Sequence, residues 1–340
     1  MGIVFIKGGA RTTVQDYGRM GHQSKGFHVC GIMDRHAFWA ANLLVDNTDN
    51  DALLEFMVLG PTMYFTSDTV ICITGGDFDP KINGESVPMY RAIEVHKGDE
   101  LVTGFCKSGT WGYIAFAGGL DVPVVMGSRS TDLECHLGGF HGRQIMDGDE
   151  IEFVSTVKTL PKMKDRHLEK PEFGQEEVEV RVIMGPQDDY FTEKGIETFL
   201  NTPFTVTFNC DRKGYRLEGP EGVTIEHNEK GADIISDGIA KGAIQVPNHG
   251  HPIVMFSDRQ TIGGYTKIAN VIATDIPLIV QAKHPQKIRF KAISIEEAQR
   301  VAIMERERFM LMNQHFVQRK PFVGLFKKRW KNWSYKEGGK

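Results

Sequence analysis

The sequence of 340 residues lacks the features that would commit it to a membrane, a disulfide scaffold or a familiar nucleotide site. No apolar run approaches the ~20 residues that cross a bilayer. The opening MGIVFI has neither the layout of a secretion signal nor the Ser or Thr of a myristoylation site, since Ile6 occupies that place. A cytoplasmic address is therefore expected. Cysteine is scarce and odd in number: Cys30, Cys72, Cys106, Cys135 and Cys210 form no C-x-x-C pair, which argues against a disulfide framework or a zinc knuckle. No G-x-x-x-x-G-K-[ST], strand-linked G-x-G-x-x-G or G-x-S-x-G is present, and GSRST at 127–131 is the wrong pattern for a hydrolase elbow. Lys162-Met163-Lys164 inverts the Met-Lys-Met of a biotin attachment site, so the chain is expected to carry no biotin.

What is present is a strand-rich globular chain, 41% hydrophobic and 25% charged. Its length suits two domains rather than one core. Short β-branched or aromatic runs bounded by Gly, Pro or Asp predict strands at GIVFIK (2–7), MYFTSDTVICITG (63–75), AIEVHKGDELVTG (92–104), WGYIAFAGG (111–119), EVEVRVIMG (177–185), FTVTFN (204–209), IPLIVQ (276–281) and KIRF (287–290). KGDEL and DGDEI read as one turn used twice. Few helical stretches separate the strands, which favours barrels or sandwiches over a βαβ sheet. Asp34 caps a predicted helix through Val45, a short helix is expected from Asp189 to Leu200, and Ser294 with Glu297 opens a last helix to about Gln314. The expected domains are 1–160 and 177–293, with a linker at 161–176, a helix at 294–314 and a basic aromatic tail at 315–340.

Four polar, glycine-punctuated segments carry arginines: 12–27, 127–143, 209–220 and 257–269. Arginine offers a planar fork for carboxylate or phosphate, and adjacent glycines let backbone N–H groups approach the same anion. Asp16, Asp211 and Asp258 stand next to or near arginines. Any one such pair reads as an arginine held by its neighbour, but three on Gly-rich segments point to a built site for an anionic or carbonyl-bearing small ligand. His249 and His251 in NHGHP have no carboxylate or Cys at ligand spacing, so no metal is expected there.

The segments TTVQDYGRMGHQSKGF, GIMDRHAFWAANLLVDN, YIAFAGGLDVPVVMGSRSTD, CDRKGYRLEGP and IISDGIAKGAIQVPNHGHPIVMFSDRQTIGGYTKIANV resemble, in that order, the biotin-dependent carboxyltransferase / allophanate hydrolase subunit 2 family. Within it they are most similar to the C subunits of ATP-dependent 5-oxoprolinases, also described as kinase-inhibitor antagonists. The resemblance covers about residues 3–292 and implies a mainly β fold of two cyclophilin-like β-barrel domains with a few helices. It also implies partner B and A subunits, with ATP used together with the partner and 5-oxo-L-proline cleaved to L-glutamate. The alternatives it leaves open are carboxylation of urea or a related amide, and a non-enzymatic regulator that binds a kinase inhibitor. Two departures stand out: Cys210 where a Ser is usual, and His284-Pro285-Gln286 in place of Arg-Pro-Gly.

Both enzymatic readings call for donors aimed at an amide carbonyl. Arg212, Arg216 or Arg259 could supply them, with Asp211 or Asp258 as base or as arginine positioner. Arg19 or Arg129 could hold a substrate carboxylate, while Gln15, Asp16, Tyr215, Gln245, Gln260 and Thr261 complete the expected binding set.

Residues 319–340 hold eight Lys or Arg against Glu337 alone, a net of +7, which leaves −11 on the rest of a chain of net −4. The tail is expected to serve association rather than the ligand site, through contacts that weaken as the Debye length falls from about 10 Å at 0.1 M salt to about 3 Å at 1 M. Truncation after His315 should leave ligand affinity intact in the folded protein. A large loss measured by titration calorimetry would place the tail in the site.

Overall fold

The computed structural model describes residues 1–316; apart from its first two positions, the tail expected at 315–340 lies outside the described residues. The first half holds two antiparallel sheets. One has six strands in the order Glu150–Glu152, Gly2–Lys7, Thr62–Phe65, Glu100–Val102, Lys81–Ile82, Glu85–Ser86; the other has five, Thr13–Gln15, Leu53–Met57, Ser108–Phe116, Thr69–Asp77, Ala92–Val95. The second half is a closed seven-stranded barrel: Glu177–Met184, Lys267–Val271, Ala243–Gln245, Ile253–Met255, Gly214–Glu218, Phe204–Cys210 and Lys287–Ala292. A parallel pairing of the first and last of these strands closes it. The fold is mainly β, with a hairpin of Asp233–Gly238 and Ile262–Tyr265 beside the barrel.

Strand periodicity explains how the halves join. Side chains of a strand alternate between faces, so Leu54 and Phe56, Ile71 and Ile73, Ile114 and Phe116 point into the core between the two sheets. Their neighbours Leu53, Val70, Cys72, Trp111, Tyr113 and Ala115 point the other way, into a core continuous with the barrel interior. Both faces of the five-stranded sheet are therefore buried, which is why VICITGG reads as an unbroken apolar run. Glu55 shares the second face and is fully buried there. It is the one ionisable carboxyl in that strand.

The helices follow their caps. Asp34 Oδ1 accepts from the amides of His36 (2.9 Å) and Ala37 (3.0 Å) to start α1, Arg35–Leu44, which lays Ala37, Phe38, Ala41 and Leu44 on the sheet. Thr192 Oγ1 accepts from the Gly195 amide at 2.9 Å to start α2, Glu193–Asn201. A third helix, α3, Ile276–Gln281, stands where the sequence predicts a strand. A short apolar run has no periodicity to separate helix from strand, and Pro277 in its first turn favours helix because the missing N–H would be unpaired there anyway. The last helix, α4, Ile295–Phe316, starts with the Glu297 amide on Ser294 Oγ and packs on α1 through stacked Trp39 and Phe309 rings 4.1 Å apart. It ends two residues beyond the expected limit, and Phe316 packs against the core while its carbonyl accepts from Arg166 Nη2.

Two other expected strands are broken by turns. MYFTSDTVICITG becomes Thr62–Phe65 and Thr69–Asp77, and AIEVHKGDELVTG becomes Ala92–Val95 and Glu100–Val102. The repeated turn is real: Asp99 Oδ2 accepts from the His96 amide and Asp149 Oδ2 from the Met146 amide, both at 2.8 Å, just before the strand begins.

The seam between the halves is polar and fully paired. Gln281, at the end of α3, accepts from the Thr110 and Trp111 amides at 2.9 and 3.1 Å and donates to Asp34 Oδ2 and the Trp111 carbonyl at 2.9 and 3.1 Å. The Trp111 indole donates to the Tyr215 hydroxyl at 2.8 Å, which donates to the Val280 carbonyl at 2.8 Å. Gln281→Leu would keep the volume but orphan two buried amides. We expect a loss of roughly 3 kcal/mol in urea denaturation, with Gln281→Glu intermediate; a loss below roughly 0.5 kcal/mol would show that the seam reorganises around the missing amide.

Candidate functional site

The barrel loop 210–214 and the segment 28–34 of the first half meet over Glu55. Arg212 is 2% exposed there, and every nitrogen of its guanidinium is used. Nε and Nη2 grip Asp258 in a bidentate pair (2.8 Å each), Nη1 donates to Glu55, and Nη2 also donates to the Gly31 carbonyl at 2.6 Å. Gly31 adopts φ +81, and a Cβ would lie 2.6 Å from the Tyr17 carbonyl oxygen, so only glycine can present that carbonyl. Burial opposes the charge of Arg212, but Asp258 and Glu55 more than offset it and hold the guanidinium ionised. Burial likewise pushes the Glu55 carboxyl up; Arg212, the Met33 amide at 2.7 Å and the Tyr113 hydroxyl counter this only in part.

Lys241 enters the same cluster. Its Nζ donates to the Ile32 carbonyl at 2.6 Å and lies near the Met33 carbonyl at 3.4 Å. Although part of the residue meets solvent, the ammonium is enclosed, and this desolvation pushes its pKa from 10.5 down to about 7. Glu55 and Asp34 work against that shift; Arg212 and Arg259 reinforce it. A lysine divided between its two protonation states near neutrality can donate a hydrogen bond to a carbonyl or exchange a proton with a substrate. Arg259 is 8% exposed and held by Nε on the Ile239 carbonyl (2.8 Å) and Nη1 on that of Phe256 (3.1 Å), without a side-chain carboxylate in either bond.

The sequence-predicted residues divide into groups. Arg212, Asp258 and Arg259 converge on this cluster, but Arg212 is committed to holding two carboxylates and not to an incoming carbonyl. Asp211 caps its own turn, accepting from the Lys213 and Gly214 amides, and lies 3.9 Å from Arg11. Arg216 is exposed and lines, with Arg11 and Phe208, a separate shallow pocket of about 330 Å³. Tyr215 is a buried strut of the interdomain seam. Alternation along Gly214–Glu218 sends Tyr215 and Arg216 to opposite faces.

Gln15, Asp16, Arg19 and Arg129 form a second cluster. Asp16 Oδ1 accepts from Ser128 and Ser130 hydroxyls at 2.6 Å each, and Oδ2 from the Arg129 amide at 2.6 Å, so this carboxylate pins the 127–131 loop. Arg19 is fully buried on the Val125 and Ser130 carbonyls, with Nη1 unpartnered, and Arg129 Nε donates to the Val122 carbonyl. Gln15 Nε2 donates to Thr13 and the Thr131 carbonyl. Gln245 is buried with Nε2 unpartnered; exposed Gln260 approaches the same glycine, Gly263, and the Thr261 carbonyl accepts from the Ile239 amide. A roomier cavity of about 710 Å³ between α1 and α4 is mostly apolar and reaches the ionic cluster only at Asp34.

Sequence reasoning missed Glu55, Lys241 and the carbonyls of 31–33. A glutamate flanked by LL and FM in a strand of period two was the available signal for the first. Lys241 carries no local signal, because its low pKa arises from residues far apart in the chain.

Arg212→Lys keeps the charge but cannot serve Asp258, Glu55 and Gly31 together, and a loss of roughly 3–5 kcal/mol is expected in urea denaturation. Lys241 gives a pH signature. Its folded pKa lies below the unfolded one, so between about 7 and 10.5 the unfolded chain binds the extra proton. The contribution of this group to stability is full above that range and is lost as pH falls toward 7. Lys241→Met should therefore stabilise the protein at pH 7 relative to wild type, and the difference should shrink by pH 9.5. Parallel pH profiles would mean that Lys241 titrates normally.

No helix among the described residues is long and apolar enough to cross a membrane. Comparison with known proteins matches residues 25–292 to the carboxyltransferase domain, subdomain A and B. The chain is similar to the C subunit of 5-oxoprolinase from Escherichia coli strain K12, 34% identical over 86% of this chain and 92% of the relative, and to that of Haemophilus influenzae, 33% identical over 85% and 90%. It is also 31% identical to urea amidolyase of Saccharomyces cerevisiae, spanning 87% of this chain but only 17% of that protein. Among solved structures, Kluyveromyces lactis urea carboxylase superimposes with a TM-score of 0.83 at 28% identity, covering 92% of this chain and 29% of that one. With four-fifths of its length inside one family match and with relatives above 30% identity along most of it, the chain belongs to the carboxyltransferase domain family, subdomain A and B.

Proposed function

We propose that this chain is the C-type subunit of an ATP-dependent 5-oxoprolinase, working in the cytoplasm with B-type and A-type partner subunits to open the lactam of 5-oxo-L-proline to L-glutamate. The observation that carries this reading is coverage: the chain spans nine-tenths of the 5-oxoprolinase C subunits it matches, but less than a fifth of the urea amidolyase of Saccharomyces cerevisiae. Lys241 and Arg259 supply donors for an amide oxygen; the carbonyls of Ile32, Ile239 and Phe256 hold the two cations, and Asp34, Glu55 and Asp258 offset their charge. In an enclosed site such preorganised donors stabilise charge that develops on the oxygen.

The same residues fit an amide better than a triphosphate. Three carboxylates stand among the cations, and a triphosphate placed here would meet their repulsion. We therefore place ATP on the partner subunits; when bound, it would supply the phosphoryl group that activates the lactam. This chain's own residues would bind and orient the amide, keep water from it, and hold a proton at Lys241 Nζ. The superposition with urea carboxylase supports a second reading, transfer of a carboxyl group to a urea-type amide from biotin carried elsewhere.

Reconstitution with candidate B and A subunits tests the proposal. ATP-dependent release of glutamate from 5-oxoproline is expected only with all subunits present. Lys241→Met should lower kcat about 100-fold or more, in the range of a lost general acid–base group, and Lys241→Arg should remove the limb of the pH profile near 7. Full activity of Lys241→Met, or turnover by this chain alone, would overturn the assignment. Activity that instead requires bicarbonate and a biotinylated carrier would select the second reading.

A further inference from the structure

His28, Asp132 and Cys135 take no part in the function proposed above, yet one ligand atom from each lies within 4.8 Å of the other two. Asp132 is 1% exposed, and its Oδ1 accepts from the Glu134 and Cys135 amides at 3.0 Å each. That anchoring leaves Oδ2 turned to His28 Nδ1 at 3.1 Å. Burial opposes ionisation of this carboxyl, but the Cys135 amide and His28 hold its pKa below the usual range. Across the ring, His28 Nε2 faces Glu134 Oε2 at 3.4 Å.

Two nitrogen or oxygen ligands about 2.0–2.1 Å from a tetrahedral ion stand about 3.3 Å apart. The 3.1 Å edge between His28 and Asp132 is close to that spacing. A carboxylate behind the far ring nitrogen is the usual way a metal-binding imidazole is oriented, and Glu134 occupies that place. Cys135 is exposed at a turn, so its sulfur can swing to a third vertex. Mixed nitrogen, oxygen and thiolate donors suit zinc and not the oxygen-seeking magnesium or calcium.

We propose that His28, Asp132 and Cys135 form a three-ligand zinc site, with Glu134 as the carboxylate that orients the imidazole. The fourth position would be open to water. Burial and the Asp132 and Glu134 carboxylates push the Cys135 thiol up. On binding, the S–H bond breaks as the Zn–S bond forms, one proton leaves to solvent, and the ion with one carboxylate and one thiolate is neutral overall. The site has a link to the ionic cluster, because Glu134 also contacts Lys213, next to Arg212.

The competing account is an imidazolium that merely bridges two carboxylates. Titrating the metal-free full chain with zinc chloride against a chromophoric chelator separates the two. One equivalent of zinc should bind, with release of a proton, and affinity should fall more than about 10-fold in His28→Ala and Cys135→Ser and about 10-fold or more in Glu134→Gln. The cobalt-substituted protein should show a thiolate charge-transfer band that Cys135→Ser abolishes. Circular dichroism checks folding; Cys135→Ser, at an exposed position, keeps the test decisive if His28→Ala does not fold. Failure of folded wild type to bind zinc, affinity unchanged in Cys135→Ser, or a cobalt spectrum without the thiolate band would each overturn the proposal. None of these readouts depends on the enzymatic reading.

Discussion

The Arg212–Glu55 pair is the contact on which the arrangement of the site depends, because it joins a barrel loop to the buried face of the first-half sheet. An ionised carboxyl at a fully buried position is costly unless a cation and hydrogen bonds meet it. Arg212, the Met33 amide and Tyr113 do so from three different segments. Each of those segments is thereby fixed. Met33 carries the 28–34 segment, Tyr113 holds the Asp34 amide at 2.8 Å, and Asp34 starts α1 and accepts from Gln281. Well-packed apolar residues often equal or exceed the stability of a buried ion pair. What the pair contributes here is geometry: the carbonyls of Ile32 and Met33 are held where Lys241 Nζ needs them.

The doubly buried sheet is the other half of this constraint. A sheet with one wet face could place a polar residue outward at no cost, whereas Glu55 has nowhere to go but the interdomain core. Its polarity propagates to Arg212, then Asp258, then Cys30, a buried thiol that burial and Asp258 push far up. The polar seam and the ionic cluster are continuous through Asp34, so the candidate site cannot be separated from the packing of the two halves.

Much of the architecture was legible because it is local. Caps at Asp34 and Ser294, the twice-used Asp turn and the period-two runs need only neighbouring residues, whereas the helix expected from Asp189 starts only at Glu193, behind a Thr192 cap that the sequence reading did not name. The helix at Ile276–Gln281 was not, since six apolar residues fit either period and only Pro277 and the tertiary role of Gln281 decide. In the candidate site the polar segments were visible, but their roles were not. Arg212, Arg216 and Arg259 look alike in sequence; one is spent on two carboxylates, one faces solvent, and one rests on backbone carbonyls. Asp16 looked like a ligand-binding group and serves as the anchor of the 127–131 loop.

The electrostatic balance of the cluster favours a neutral, polarisable group, such as a lactam amide, over a strongly anionic one. Arg212 and Arg259 carry fixed charges, Lys241 is divided between two states, and Glu55, Asp34 and Asp258 offset them, so the enclosed region is close to neutral before anything enters. A strongly anionic ligand would have to displace carboxylates already hydrogen-bonded in pairs, and a cation would have to displace Arg212. An amide asks for neither. It needs a donor for its oxygen, which Lys241 and Arg259 offer, and in the proposed reaction charge growing on that oxygen would draw the lysine toward its protonated form where its pKa makes the response steepest.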